Sequence, residues 1–172
     1  LRAGDNRLAE EKAKQTLEMA EGTEFLIPYS YEGYTAPAEV FLTLLENEAD
    51  ESSLDRRPTA DLVHRSLKIV RKLDYRYPIF APRGLLYQGR FEWLSGRSTK
   101  AQKAWRKGIE LARALDMPHE AGLLHLEYGR HLPPEDPERQ EHLTRALELF
   151  ANVGAHYFVN RTREEMNIEQ ES

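Results

Sequence analysis

The sequence contains a short helical pattern that recurs at nearly constant spacing. A small residue followed by a branched aliphatic residue occurs at Ser66-Leu67, Gly108-Ile109 and Ala146-Leu147, with shifts of 42 and then 38 residues. Recurrence in this range is typical of helix pairs that stack on one another, because one pair cannot bury its apolar face alone. The pattern therefore predicts an all-α protein, namely an α–α superhelix built from helical hairpins.

Apolar periodicity, together with the positions of Pro and Gly, divides the chain into about eight predicted helices. Their predicted ranges are about 6–21, 36–47, 58–74, 78–94, 98–115, 119–131, 138–153 and 156–169. Most connections between them are short, so successive helices are expected to lie antiparallel. The aromatic stretch from Phe25 to Tyr34 fits neither a helix nor a strand pattern. It is predicted to pack over the first groove or to be a docking site for another domain.

The charge balance limits the class of partner. The 172 residues include 24 Lys and Arg against 29 Asp and Glu, which gives a formal net charge of −5. A face that binds phosphates needs a clustered excess of Lys and Arg, so no nucleic-acid partner is predicted. The densest basic stretch, from Arg65 to Lys72, has the spacing of the solvent-facing side of an amphipathic helix.

Residue usage also bears on the compartment. Cysteine is absent, which excludes disulfides and thiolate metal sites and fits a reducing environment. The sequence has neither an apolar run of bilayer length nor a basic-then-apolar leader, and it opens at Leu1 instead of Met. We therefore predict a cytoplasmic segment with no membrane partner. Residues 1–172 would form one helical-repeat domain, a fragment of a longer multidomain protein.

The segment from Leu85 to Gly108 has the features of one complete repeat unit. Gly89 is expected where two helices touch, Gly96 at the hairpin turn, Ala101 early in the second helix and Trp105 four residues later. Crossing helices approach closely only at small residues, and an aromatic ring fills the space beside the contact. These features resemble a tetratricopeptide repeat.

A second unit, from Leu124 to Phe150, departs from that family. Its turn is rich in Pro where the first unit has Gly. The spacing of the units also exceeds the roughly 34 residues of a standard tetratricopeptide repeat. The hairpins are therefore predicted to be irregular relatives of the family.

Further short motifs are spread along the chain from about Gly33. They are Gly33-Tyr34, Ala38–Leu42, Gly89-Arg90, Trp93–Gly96, Ala104-Trp105, Met117–Ala121, His125–Leu132 and Asp136–Arg139. Together they resemble the C-terminal helical-repeat segment of large multidomain bacterial signalling proteins. In that group, a class III adenylate/guanylate cyclase or protein kinase domain precedes a signal-transducing ATPase module. The resemblance carries over no cyclase or ATPase residues, since no Gly-rich phosphate loop is present.

Five residues form the predicted partner-binding set. Arg90 and Arg130 follow the glycines of the predicted helix contacts and are expected to face the groove, where two guanidinium groups would clamp a carboxylate. The alternative is that each Arg forms a salt bridge inside its own hairpin. Trp93, Leu86 and Leu126 complete the set. A groove Trp would anchor a partner peptide, although the same ring would equally serve as filler between helices.

The sequence offers no catalytic or metal-binding constellation. His119, His125 and His131 are six residues apart, so successive side chains point to different sides of a helix. Paired carboxylates such as Glu10-Glu11 and Glu164-Glu165 lie on predicted solvent-facing sides, whereas acid–base catalysis needs a dry cleft. Without Cys, and without Ser in a nucleophile-elbow pattern, no nucleophile is indicated. We predict no enzymatic activity, no cofactor and no metal.

These observations leave three hypotheses for function. The first is a non-catalytic module for protein–protein or interdomain contacts in a signal-transduction protein. The second is the effector-sensing region of an ATP-dependent transcriptional activator, and the third is a homodimerising module. A deep, apolar, water-excluding pocket would favour the second, and a shallow open groove lined by Arg90 and Arg130 would favour the first.

Overall fold

The computed structural model describes residues 6–23, 30–48 and 56–167. Within these ranges the chain forms eight α-helices, and a 3-10 turn, Pro78–Phe80, precedes the fourth. The helices are α1 (Asn6–Glu21), α2 (Tyr31–Asn47), α3 (Arg57–Arg76), α4 (Ala81–Leu94), α5 (Ser98–Ala114), α6 (Pro118–Arg130), α7 (Pro137–Asn152) and α8 (His156–Asn167). The predicted all-α class is confirmed. None of the helices in the described ranges combines the length and apolarity needed to span a membrane.

Helix α2 begins earlier than predicted. Pro37 was expected in the first turn of this helix, but it lies inside the helix, because the chain is already helical at Tyr31. The Tyr31 ring stacks on Phe80 at 3.8 Å, and its hydroxyl donates a hydrogen bond to the Phe80 carbonyl oxygen at 3.2 Å. This tertiary contact fixes the turn that precedes Pro37. Of the predicted aromatic segment, residues 25–29 lie outside the described ranges, and the last four residues form the beginning of α2.

Successive helices pack against each other along the whole described chain, and alternate helices also touch. Helix α4 contacts both α2 and α6, and these three helices form one row, which we call the first row. Helices α1 and α3 also contact each other and lie in a second row. We call α1, α3, α5 and α7 the second row. The recurring small residues Ser66, Gly108 and Ala146 are all buried in second-row helices. Their shared pattern therefore marks the side of each helix that faces the first row.

Three turns between helices share one hydrogen-bonding pattern. Gly96, Asp116 and Gly154 have positive φ angles of 74°, 51° and 68°. At the first turn, Arg97 N–H donates to the Glu92 carbonyl at 2.9 Å, and equivalent bonds close the other two turns. This is the Schellman motif, which reverses the chain in a few residues. The predicted turn at Gly96 is confirmed, and Gly154 forms the turn between the helices predicted at 138–153 and 156–169. Asp116 occupies the same conformation without being Gly.

The Pro-rich connection between α6 and α7 uses a different device. Asp136 caps α7 by accepting a hydrogen bond from the Glu138 N–H at 2.9 Å. The buried Arg139 guanidinium donates to the carbonyl oxygens of Gly129 at 3.0 Å and Leu132 at 3.2 Å. These bonds satisfy groups at the end of α6 that a helix cannot pair internally. A side chain thus replaces the positive-φ turn at this hairpin.

Candidate functional site

Arg90 and Arg130 lie in the first row, on α4 and α6, with side chains that are only 11% exposed. Both bind the same carboxylate, Glu46 of α2. Arg90 Nη2 lies 2.8 Å from Glu46 Oε2, and Arg130 Nη2 binds the other oxygen. Burial raises the pKa of Glu46, but Arg130 and Arg90 outweigh that effect and lower it. The predicted two-arginine clamp is therefore occupied by a carboxylate of the chain itself.

A second carboxylate, Glu127 of α6, completes this cluster. Arg130 Nε lies 3.1 Å from Glu127 Oε2, His131 Nε2 lies 3.5 Å away and Arg90 Nε lies 3.9 Å away. Burial of Glu127 raises its pKa, but the two guanidinium groups outweigh burial and hold that pKa far below its usual range. Arg130 therefore has one partner within its own helix and one in α2. Arg90 pairs outside its own hairpin, with Glu46.

A related cluster lies two turns earlier on the same three helices. Arg83 of α4 donates two hydrogen bonds to Glu120 of α6, from Nε at 2.7 Å and from Nη2 at 2.6 Å. The Tyr87 hydroxyl donates a hydrogen bond to Glu39 Oε2 of α2 at 3.4 Å. Burial raises the pKa of Glu120, but hydrogen bonds from His119 and Arg83 lower it to about 2. We call the two clusters together the ionic ladder.

The sequence contained a signal for the ladder that sequence reasoning missed. Each first-row helix carries two charges of one sign seven residues apart, which places both on one side of the helix. These pairs are Glu39 and Glu46 on α2, Arg83 and Arg90 on α4, and Glu120 and Glu127 on α6. The order acidic, basic, acidic across neighbouring helices provides complementary charges at both levels. A comparison of charge registers between helices would have predicted the pairing.

The other three predicted residues contribute mainly to packing. Leu86 and Leu126 are 5% and 3% exposed, so little of either side chain is available to a partner. Trp93 is partly buried and stacks on His131 at 4.6 Å, and Trp105 stacks on the same imidazole at 5.2 Å. The structure thus brings Arg90, Arg130 and Trp93 to the same region, with His131 linking the ion cluster to the indoles.

A groove at a different place in the fold is a second candidate site. It has a volume of about 720 Å³ and lies between α5 and α7, with α6 at its base. Its lining includes apolar side chains from all three helices, among them Ile109, Ala112, Ala121 and Leu149. Charged and polar residues also line it, namely Arg113, Asp116, Gln140, Glu141, Arg145 and Glu148. Local sequence patterns do not indicate this groove, because its lining comes from three helices and the turn that follows α5.

A histidine pair adjoins the groove. His125 Nδ1 of α6 lies 2.8 Å from His142 Nδ1 of α7, and His125 lines the groove. Burial and the neighbouring His142 lower the pKa of His125 to about 4, so the pair is neutral near pH 7. One ring must then donate its Nδ1 proton to the other. Among the residues that the structure describes, no three His, Asp or Glu side chains converge to hold a metal ion.

Comparison with known proteins gives no family assignment. No protein-family model, no curated protein and no solved structure matches the chain.

Proposed function

We propose that this chain is a non-catalytic, tetratricopeptide-like repeat module that binds a segment of protein chain. The groove between α5 and α7 is the observation that supports this proposal most directly. It crosses three helices, has apolar side chains in its lining and has hydrogen-bonding groups of both charges. A peptide needs such a combination, because its side chains are partly apolar and its backbone is polar.

The exposure of the groove lining favours a protein segment over a small effector. Small-molecule pockets bury most of the ligand surface and are predominantly apolar. Here half of the lining residues are polar and solvent-exposed, namely the six listed above together with Thr144. A small molecule in this groove would remain exposed to solvent on one side. A peptide or helix can instead close the groove with its own surface.

The ionic ladder has a different role in this proposal. Its arginines are nearly buried and are paired with carboxylates of α2 and α6. A partner's carboxylate would have to displace Glu46 in order to reach Arg90 and Arg130, and displacement leaves a partly buried charge unpaired. We therefore assign the ladder to holding the first row together and the groove to binding.

We further propose that the parent protein is a large intracellular signal-transduction protein of the cyclase and ATPase type. This part of the proposal is supported by the sequence resemblance described above. The bound segment then belongs to another protein or to an upstream domain of the same polypeptide. The alternative, an effector-sensing region of an ATP-dependent transcriptional activator, uses the same groove for a small ligand.

Site-specific photo-cross-linking in the parent polypeptide tests the binding role. A photoreactive amino acid replaces Thr144, which lines the groove, and in a matched control it replaces Asn152, which is exposed on α7 outside the groove. We expect protein adducts from position 144 and few from position 152. The substitution Thr144→Trp fills the groove and should reduce adducts formed from position 140.

Two results would contradict the proposal. Absence of protein adducts at position 144, together with a copurifying small molecule detected by native mass spectrometry, would favour the effector-sensing alternative. Turnover of ATP by the purified chain, or formation of a cyclic nucleotide, would contradict the non-catalytic assignment.

A further inference from the structure

The exposed side of α3 is strongly basic. Its buried residues Val63, Ser66, Val70 and Leu73 face the other helices, so the opposite side is open to solvent. The exposed basic residues on that side are Arg57, Lys68, Arg71, Lys72 and Arg76. Asp61 is the one exposed acidic residue of this helix.

Helix α5 repeats this arrangement. It buries Ala101, Trp105, Gly108 and Ala112 against the first row and leaves its opposite side open. Its exposed basic residues outside the groove are Lys100, Lys103, Arg106 and Lys107, against one exposed acidic residue, Glu110. Both helices belong to the second row and both pack against α4, and we call their open sides together the basic face. Its nine basic and two acidic exposed residues give it a net charge of +7, in a chain whose net charge is −5.

Arg106 pairs with Glu138 and Arg57 also has a partner, but the other seven basic residues of this face form no salt bridge within the described ranges. Like charges on one surface repel one another, and side chains held for structural reasons normally have a partner. An accumulation of unpaired cations on neighbouring helices is therefore an electrostatic complement for an anionic partner.

The surroundings of the basic face restrict the kind of anion. Helix α1 on one side has Glu18 and Glu21 exposed, and helix α7 on the other side has Glu138 and Glu141 exposed. A long phosphate backbone or a membrane surface would extend past α3 and α5 and meet these carboxylates. A short acidic protein segment can remain within the two basic helices.

Two exposed apolar residues at the end of α3 also favour a protein partner. Tyr75 is 91% exposed and Ile79 is 55% exposed, and both are close in sequence to Arg71, Lys72 and Arg76. Tyr and Arg are the residues that most often supply binding energy at protein interfaces. We infer that the basic face of α3 and α5 docks an acidic protein segment that has an apolar anchor residue, at a site separate from the groove.

This inference rests on the proposed function and specifies a second contact of the module. The probe is a short fluorescein-labelled peptide of Asp and Glu with a central Leu pair, measured by fluorescence anisotropy. The charge variant is Lys68→Glu, Lys72→Glu, Lys103→Glu and Lys107→Glu combined. The matched control reverses four exposed charges outside both the basic face and the groove: Arg7→Glu, Lys12→Glu, Lys14→Glu and Arg163→Glu.

We expect the charge variant to weaken peptide binding by about tenfold or more, because four attractive contacts with the carboxylates of the peptide become repulsive. The control has the same net charge as the charge variant, and its affinity for the peptide should stay within about twofold of that of the unsubstituted chain. Tyr75→Ser should also weaken binding, which a purely nonspecific charge effect would not produce.

Equal losses in the charge variant and the control would overturn the inference, because they would show an effect of net charge alone. Tighter binding of a duplex oligonucleotide or of phosphatidylserine vesicles than of the peptide would also overturn it. Circular dichroism of each variant verifies that it remains folded. Failure of this inference leaves the groove cross-links unchanged, whereas failure of the proposed function removes those cross-links.

Discussion

The indole of Trp105 on α5 lies directly against the α carbon of Gly89 on α4. A β carbon added at Gly89 would lie 2.5 Å from Trp105 Cδ1 and 2.6 Å from Cε2, far inside van der Waals contact. Trp105 is fully buried and donates a hydrogen bond to the Leu86 carbonyl at 3.4 Å, so it has little freedom to move. The pair confirms the predicted close contact of this hairpin.

Gly89→Ala should therefore destabilise the fold. We expect a loss of about 2 kcal/mol or more in the free energy of unfolding, because an overpacked core must shift a rigid ring. Gly33→Ala is the matched control, since nothing lies within 4 Å of a β carbon there. In a helix it should increase stability by up to about 1 kcal/mol. Urea denaturation measures both, and equal effects of the two substitutions would contradict the packing argument.

Arg130→Ala tests the ionic ladder. Removal of this side chain leaves Glu127 buried with its charge poorly compensated, so we expect a loss of about 3 kcal/mol. Arg145→Ala, in an exposed pair with Glu148, should cost less than about 1 kcal/mol. The alternative role of Arg130, as a clamp for a partner, predicts unchanged stability and loss of binding alone. Thermal or urea unfolding thus separates the two roles.

Asp74 on α3 predicts a measurable pH dependence. Its carboxyl packs against Gly84 of α4, its Oδ1 is buried without a hydrogen-bond partner, and burial raises its pKa to about 7. A carboxyl with a raised pKa in the folded state costs stability as pH rises from about 4 to about 7, and the full cost persists above that range. Asp74→Asn should therefore stabilise the chain at pH 8 by about 1 kcal/mol or more.

The same substitution should have little effect near pH 4, because Asp74 is protonated in the folded, unsubstituted chain at that pH. Asp61→Asn, at an exposed position of α3, is the control and should change stability by less than about 0.5 kcal/mol. Urea denaturation across pH 4 to 8 gives the comparison. The raised pKa of Asp74 would be contradicted if Asp74→Asn and the unsubstituted chain differed in stability by the same amount at every pH.

The pair of His125 and His142 predicts the opposite pH trend. The pKa of His125 is lowered in the folded state, so its contribution to stability is lost as pH falls from about 6.5 to about 4. His125→Gln keeps hydrogen-bonding capacity without titrating. Between pH 7 and pH 4, the unsubstituted chain should lose about 2 kcal/mol more of its free energy of unfolding than this variant does. His156→Gln, at an exposed position of α8, should show the same change of unfolding free energy with pH as the unsubstituted chain. The prediction is refuted if His125→Gln shows that same pH dependence too.

Local sequence determined the helices, most turns and the close helix contacts of this protein. Periodicity of apolar residues, Gly at positive φ and small residues at fixed register act over a few residues, so they can be recognised without a structure. Gly89, Gly96, Ala101 and Trp105 occupy the predicted turn and packing positions for this reason. The predicted beginning of α2 was wrong, because a contact between Tyr31 and Phe80, which is 49 residues away, determines where this helix begins.

The tertiary structure alone decided what the charged residues meet. Arg90 and Arg130 were recognised from their positions after small residues, but their shared partner Glu46 is 44 and 84 residues away. A salt bridge depends on which helix faces which, and local periodicity does not contain that information. The groove and the basic face likewise form only when helices of different hairpins pack side by side. The sequence therefore specified the parts and their contacts within a hairpin, and the packing of hairpins determined the surfaces.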